Sequence, residues 1–167
     1  RAGIVYAGAG WNKVEAESVR VIERAGQRIG FAAFSDVGPE WMRAGDTLSG
    51  IAIADIPTVQ KVIRQARDQV DIMVVSFHFG EEYETSSRKR QQDLARGAID
   101  AGANIVIGHH PHVVQEIEQY KGGLIAYSLG NFIFDQAFSP ETKEGLLVRL
   151  HMKGKQIEQV ERIPVSF

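Results

Sequence analysis

The stretch NIVIGHHPHV, residues 104–113, decides the fold that we expect for this chain. Its first part is apolar up to Gly108, which is typical of a buried strand, and histidines follow at positions 109, 110 and 112. In α/β proteins, ligands gather where parallel strands end. The stretch therefore predicts a strand whose carboxyl end carries a cluster of imidazoles.

The residues before this stretch predict a second strand and a connecting helix. A strand is expected over 71–79 (DIMVVSFHF), with His78 close to its carboxyl end. A helix is expected over 87–101, and Gly102 ends it. A strand, a helix and a strand in this order form a right-handed unit with parallel strands. We therefore expect His78 to meet the histidine cluster at one edge of a sheet.

The other segments complete an α/β pattern. A helix is expected to begin at Asp55 and Pro57, because apolar residues then recur at spacings of three and four up to Val70. The second strand of an early hairpin, 28–35, is almost wholly apolar, and we expect it to be buried on both faces. The remaining expected elements are a short strand or extended entry (3–9), a helical turn (14–17), the first hairpin strand (19–23), a loop (36–49), a pair of strands (113–120 and 124–129) and a final hairpin (145–152 and 156–165).

Composition excludes several classes of partner and site. A chain of 167 residues is expected to form one domain, residues 1–167. The net charge of −2 gives no electrostatic support for a nucleic-acid partner. Without cysteine there are no disulfides and no thiolate metal ligands, although the compartment stays open. No apolar run in the sequence has the length of a transmembrane helix.

The histidines suggest a metal site. His110 and His112 can converge from a tight loop that Pro111 stiffens, and His78 is expected to approach from the neighbouring strand. Three neutral imidazoles suit Zn, Mn or Fe, whereas an isolated histidine more often packs or faces solvent. His109 precedes the pair and is the weaker ligand candidate, with a supporting role as its alternative.

Three further polar residues are weaker candidates for the same site. Glu82 and Asp135 are either solvated loop acids or groups that contact the site. Asn131 follows Gly130, and it either holds a loop by hydrogen bonds or binds substrate.

Four long motifs around these residues resemble the CapA family of capsule or poly-gamma-glutamate biosynthesis proteins, in the calcineurin-like metallophosphoesterase superfamily. The motifs are AGIVYAGAG (2–10), SFHFGEEY (76–83), AIDAGANIVIGHHPHVVQ (98–115) and YKGGLIAYSLGNFIFD (120–135). The resemblance implies an α/β/β/α sandwich, with two mixed sheets flanked by helices. It also implies a two-metal site at the strand ends, which holds divalent Mn, Fe or Zn in the full-length protein.

The resemblance also implies roles for individual residues. His78 matches a lone histidine of the family, while His110 and His112 match both ligands of the Gly-His-x-His block, so all three are expected to bind metal. His109 stands in the place of the glycine of that block, and we assign it as the catalytic histidine that protonates a leaving group. Glu82, Asn131 and Asp135 are expected to contact substrate or to support the ligands.

The resemblance does not extend to the family's N-terminal half, which carries Gly-Asp, Asn-Leu-Glu and Asn-His blocks. Together with a first residue of Arg1, this makes us expect the C-terminal portion of a CapA-like domain. His78, His110 and His112 bring no negative charge, so two metal ions would need anionic ligands from elsewhere. We expect the missing half, a homodimer or a strand-exchanged oligomer to complete the fold.

Three functions remain open at this level. The parent protein is a metal-dependent hydrolase acting on a phosphoester or an amide-type bond, with this chain inactive alone. Alternatively, it is a non-catalytic component of a membrane-associated complex for synthesis or export of a surface polymer, and it binds an anionic polymer. The third alternative is a structural fragment with a vestigial site. The family implies the bacterial cell envelope or the extracellular side, and the residues themselves leave the cytoplasm open.

Overall fold

The computed structural model describes residues 3–166, so that Arg1, Ala2 and Phe167, and with them the start of the 2–10 motif, lie outside the described residues. The elements in chain order are β1 (Ala9–Gly10), α1 (Lys13–Ala16), β2 (Arg20–Arg24), β3 (Gln27–Ser35), β4 (Gly50–Ile51), α2 (Ile56–Ala66), β5 (Ile72–His78), α3 (Lys89–Asp100), β6 (Ile105–His109), β7 (Ile117–Tyr120), β8 (Gly123–Ala126), β9 (Glu144–Lys153) and β10 (Gln156–Ser166). Single 3₁₀ turns lie at Glu40–Met42, Arg67–Gln69 and Glu141–Lys143.

A mixed sheet of six strands organises the molecule. Its order is β2-β3-β5-β6-β8-β7, in which β3, β5, β6 and β8 run parallel to one another, while the edge strands β2 and β7 are antiparallel to β3 and β8. Separate two-stranded sheets are formed by β1 with β4 and by β9 with β10. The expected α/β class is therefore confirmed. The parallel β5-α3-β6 unit that was to bring the histidines together is also present.

Helix α2 begins where the sequence indicates. Oδ1 of Asp55 accepts the amide of Thr58 at 3.0 Å, and Pro57 lies in the first turn, where its missing N–H costs nothing. The apolar face of the helix is buried and contributes Val59, Val62 and Ile63 to the core. These side chains share that core with Met73, Val75 and Phe77 of β5 and with Leu94, Ala95 and Ala98 of α3. One face of the sheet is thus covered by helices.

The prediction that residues 28–35 are buried on both faces is wrong. In β3, Gly30, Ala32 and Phe34 are buried, whereas the alternate residues Phe31 and Ala33 are only half-buried. The reason is that α2 and α3 cover the face that bears Ala32 and Phe34, while the opposite face is covered only in part. The apolar composition of a strand therefore overstates its burial when no other element packs fully against one of its faces.

Several boundaries also differ from expectation. Of the stretch 3–9, only Ala9 enters a strand, and β1 pairs with β4. The pair expected over 113–120 and 124–129 is shorter, as β7 and β8, with an isolated bridge between Val114 and Leu129. The early and final hairpins are confirmed as β2–β3 and β9–β10. None of the helices in residues 3–166 has the length and apolar character needed to cross a membrane.

Candidate metal centre

His78 and His109 end two neighbouring parallel strands. They are paired across β5 and β6, one step beyond the pair Phe77 and Gly108. Successive residues of a strand face opposite sides, and Phe77 is fully buried in the helix-covered core. The two histidines therefore lie on the opposite face of the sheet, at its carboxyl edge. The sequence predicted this edge, but not the face.

The backbone of the loop after β6 is strained at His110 and at His112. His110 has a φ of +105° and His112 has a φ of +60°, values that residues with a side chain rarely adopt. Between them, the carbonyl of Pro111 accepts the amide of Tyr83 at 2.8 Å, and Tyr83 itself has a φ of +67°. Strain of this kind collects at functional sites, where the surrounding structure holds it.

A group of donor atoms forms where the loop after β5 meets the loop after β6. One ligand atom each from Glu82, His110 and His112 lies within 4.8 Å of the others. The ring of His78 is adjacent, with its centroid 4.7 Å from that of His110. Imidazole nitrogens with a carboxylate oxygen are a donor set that Zn, Mn and Fe accept. The side chains of the group therefore fit a divalent cation.

Three histidines at this edge of the sheet, His78, His109 and His110, are biased toward their neutral form because their pKa values are lowered. Desolvation lowers the pKa of His78, and the neighbouring rings of His110, His109 and His112 lower it further. Desolvation also lowers the pKa values of His109 and His110, although the charge of Glu82 works in the opposite direction on His110. A neutral imidazole is the form that ligates a metal, so the local electrostatics suit this use.

Asn131 supports His112. Nδ1 of His112 lies 2.9 Å from Oδ1 of Asn131, and Nδ2 of the same asparagine donates to the carbonyl of Thr142 at 2.9 Å. Asn131 also donates to Oε1 of Gln136 at 3.2 Å. The asparagine is buried, so that its orientation is set by these bonds. Asn131 thus contacts one candidate ligand directly, as its predicted supporting role requires.

The structure does not bring all predicted residues into the group. His109 lines a cavity of about 320 Å³ with Asn131, Leu129 and Phe132, and it lies outside the Glu82, His110 and His112 group. Asp135 is exposed and also lies outside that group. The catalytic role of His109 and the substrate role of Asp135 stay predictions.

The sequence did not point to the aromatic side chains beside His112. The ring of Phe134 is stacked 5.6 Å from that of His112, and Tyr83 is 6.2 Å away. Phe138 meets Tyr83 edge-on at 4.9 Å, and Gln136 donates to the hydroxyl of Tyr83 at 2.9 Å. Tyr83 could have been noticed because it follows Glu82. The loop that carries the phenylalanines has no periodicity from which a contact could be inferred.

Comparison with known proteins identifies the family. The model of the bacterial capsule synthesis protein PGA_cap matches residues 1–136. The PGA biosynthesis protein CapA of Bacillus subtilis (strain 168) is 38% identical over 160 residues, which is 95% of this chain and 42% of the relative. The capsule biosynthesis protein CapA of Bacillus anthracis is 35% identical over 169 residues, covering 99% of this chain and 41% of the relative. The chain therefore spans about two fifths of the length of these relatives.

The fold is likewise found among solved structures. The crystal structure of a 5'-nucleotidase precursor from Thermus thermophilus superposes with a TM-score of 0.53 at 16% identity, over 97% of this chain and 33% of that one. At this identity the likeness concerns the fold alone, which this chain shares with the 5'-nucleotidase precursor. The family match, the two CapA relatives and this fold agree, and the chain belongs to the bacterial capsule synthesis protein PGA_cap family.

Proposed function

We propose that this chain supplies the imidazole-rich part of a divalent-metal site in capsule or poly-gamma-glutamate biosynthesis, and that the site serves metal-dependent hydrolysis. The observation that carries the proposal is the convergence of Glu82, His110 and His112 within 4.8 Å, with His78 beside them. The substrate would be a phosphoester or an amide-type bond. The two CapA relatives are named for PGA and capsule biosynthesis, which supports the pathway and a place at the cell envelope.

The residues of the group would hold Mn, Fe or Zn through two or three imidazole nitrogens and one carboxylate. When bound, such a cation supplies Lewis-acid chemistry toward a phosphoryl or carbonyl oxygen and toward water. Asn131 fixes the ring of His112 for this purpose, and the stacked ring of Phe134 shields one side of it from solvent. We propose His109, at the neighbouring strand end, as the group that exchanges a proton with the leaving atom.

Charge sets a limit on what the described residues can hold. Two divalent ions roughly 3.5–4 Å apart repel each other, and carboxylate or other anionic ligands must offset the repulsion. Within residues 3–166, the donor group contains a single carboxylate, that of Glu82. We therefore propose that this chain binds one ion by itself. A second ion would need anionic ligands from outside the group, in a longer protein or in a second copy.

Metal content tests the proposal. The chain, purified without a histidine tag and equilibrated with Mn²⁺ or Zn²⁺, is expected to retain about one ion per molecule by plasma mass spectrometry after gel filtration. The double variant His110→Ala, His112→Ala is expected to lose it. His151→Ala is the matched control, because His151 pairs with Glu161 on the β9–β10 hairpin and is no member of the donor group. A wild-type chain that retains no ion from saturating solutions would contradict the proposal.

A second function is favoured by the single carboxylate. A site with few anionic ligands suits a non-catalytic component that binds an anionic polymer within a synthesis or export complex. The two functions are distinguished by incubating the metal-loaded full-length protein, and its double variant, with a generic phosphodiester and with a γ-glutamyl polymer. Hydrolysis that the double variant lacks supports the enzyme. Polymer binding by fluorescence anisotropy, without hydrolysis in the full-length protein, supports the non-catalytic component.

A further inference from the structure

Two glutamine side chains are buried next to each other beneath the site. Gln91 on α3 is 0% exposed and Gln115 is 4% exposed. Nε2 of Gln91 donates to Oε1 of Gln115 at 2.9 Å. A buried carboxamide costs free energy unless all its polar atoms are paired, and apolar side chains of similar size would avoid this cost. The burial of two amides here therefore indicates that they bind polar partners, which an apolar side chain could not do.

That partner is the main chain of a loop, residues 80–87 (GEEYETSS), which we call the acidic loop. It connects β5 to α3 and contains Glu82. Nε2 of Gln115 donates to the carbonyl oxygen of Glu84 at 2.7 Å and to that of Ser86 at 3.2 Å. Both hydrogens of this amide are thus used on the loop, while its oxygen is used by Gln91.

The acidic loop is also in close contact with Gln91 at its start. Gly80 has a φ of +96°, and a Cβ there would lie 2.7 Å from Cδ and Nε2 of Gln91. Further along, the amide of Tyr83 donates to the carbonyl of Pro111 at 2.8 Å, which ties the loop to the two histidines. The backbone is therefore held on both sides of Glu82.

Capping of α3 explains only part of this arrangement. Oε1 of Gln91 accepts the amide of Arg88 at 2.8 Å, which is the side-chain bond of a capping box. Capping therefore explains the hydrogen bond that Oε1 of Gln91 accepts. It does not explain the two hydrogen bonds from Gln115 to the acidic loop, because these do not cap the helix.

We infer that Gln115, supported by Gln91, is a positioning residue that holds the acidic loop so that the carboxylate of Glu82 faces His110 and His112. The inference rests on the proposed function, in which Glu82 is a metal ligand. Glu82 is exposed, so that packing of its own side chain does little to fix it. Its approach to the imidazoles is set by the loop backbone, and Gln115 is the buried side chain that binds that backbone.

Hydrogen exchange on the metal-free protein tests whether Gln115 holds the loop. Gln115→Met keeps the volume and removes both donors, so the amide of Tyr83 is expected to exchange roughly tenfold faster or more. Amides within β5 are expected to keep their protection. The control is Gln119→Met, the same change at an exposed position of β7. If Gln115→Met folds poorly, a double variant is measured instead. It combines Gln91→Met with Gln115→Met and so removes both buried amides together. Unchanged exchange at Tyr83 would overturn the inference.

Metal affinity tests the link to Glu82. By titration calorimetry with Mn²⁺, Gln115→Met is expected to weaken binding by roughly 10- to 100-fold, the effect typical of groups that orient a ligand. In a Glu82→Gln background the same change is expected to have no further effect. Equal losses in both backgrounds would show that Gln115 only stabilises the fold, and would overturn the inference. An absence of Mn²⁺ binding by the wild-type chain would instead overturn the proposed function and the ligand role of Glu82.

Discussion

Nδ1 of His112 lies 2.9 Å from Oδ1 of Asn131. An amide oxygen only accepts hydrogen bonds, so Nδ1 carries the hydrogen and Nε2 keeps its lone pair for another partner. The asparagine cannot easily turn, because its Nδ2 donates to the carbonyl of Thr142, a residue that is itself fully buried. The tautomer that a metal ligand needs is therefore set by the protein before any ion arrives.

The first prediction concerns this hydrogen bond. Replacing Asn131 with Leu keeps a similar volume and removes the acceptor of the His112 Nδ1–H. We expect the Mn²⁺ dissociation constant, measured by titration calorimetry, to rise by roughly 10- to 100-fold, because ligand orientation and tautomer are no longer fixed. Gln136→Leu is the control, since it breaks the other side-chain bond of Asn131 and leaves His112 untouched. Equal affinities for Asn131→Leu and the wild type would contradict this account.

The second prediction concerns the charge of Glu82. Glu82→Gln preserves the shape of the side chain but replaces a carboxylate by a neutral amide, which is a much weaker ligand for a divalent cation. We expect Mn²⁺ affinity to fall by at least roughly tenfold in the same calorimetric measurement. Glu81→Gln is a matched control, because the neighbouring Glu81 pairs with Arg88 and is not in the donor group. Similar losses in the two variants would show a general effect of charge and not ligation.

The part of the fold that carries the histidines could be predicted from the sequence because its signals are local. The apolar runs that became β5 and β6, the helix between them and the rule of right-handed crossovers together fix two parallel neighbours. The pairing of His78 with His109 follows from that order without any knowledge of distant contacts. The convergence of His110 with His78 follows in the same way.

What could not be predicted depends on contacts between segments far apart in the chain. Gln91 and Gln115 are 24 positions apart and look like ordinary polar residues, so their mutual burial appears only in the fold. The partial exposure of Phe31 depends on what covers the second face of the sheet, which an apolar run does not reveal. The stacking of Phe134 on His112 comes from a loop without a periodic pattern, so the sequence did not indicate that these two residues are in contact.

A partly buried network away from the site makes stability depend on pH. The hydroxyl of Tyr127 donates to Oε2 of Glu118 at 2.6 Å, and Nε of Arg96 donates to Oε1 of the same carboxylate at 3.0 Å. Burial alone would raise the pKa of Glu118, but the bonds from Tyr127 and Arg96 outweigh burial and hold it below the ordinary value of 4.5. Because the pKa is lower in the folded state, the stabilisation is complete above about pH 4.5 and is lost as the pH falls toward the folded pKa.

The third prediction follows from this network. Tyr127→Phe is expected to lower the free energy of unfolding at pH 7 by about 1.5–3 kcal/mol, the usual contribution of a hydrogen bond to a charged group. Urea unfolding followed by circular dichroism measures the loss. The difference between variant and wild type is expected to shrink at pH 3, where Glu118 becomes protonated in the unfolded chain. A difference that stays constant between pH 7 and pH 3 would argue that packing of Tyr127, and not its bond to Glu118, sets the effect.

The fourth prediction concerns Gly108, between the apolar part of β6 and the histidines. A Cβ at this position would lie 1.9 Å from the carbonyl oxygen of Tyr127 and 2.5 Å from Cε1 of Phe79. The first of these atoms is backbone and cannot move aside without displacing the segment that follows β8. Gly108→Ala is therefore expected to lower the free energy of unfolding by about 3 kcal/mol or more, measured by urea unfolding.

The matched control for Gly108 is the same substitution in α3. At Gly97 the nearest atoms to a new Cβ are 3.6 Å away, in Gln60 and Ile56, which is ordinary van der Waals contact. Since alanine is the better helix former, Gly97→Ala is expected to raise the free energy of unfolding by roughly 0.5–1 kcal/mol. The same glycine-to-alanine substitution is thus expected to lower the free energy of unfolding at Gly108 and to raise it at Gly97. A Gly108→Ala protein as stable as the wild type would mean that the backbone after β8 does not approach β6 as closely as the structure shows, and the strand end that presents the histidines would then be less constrained.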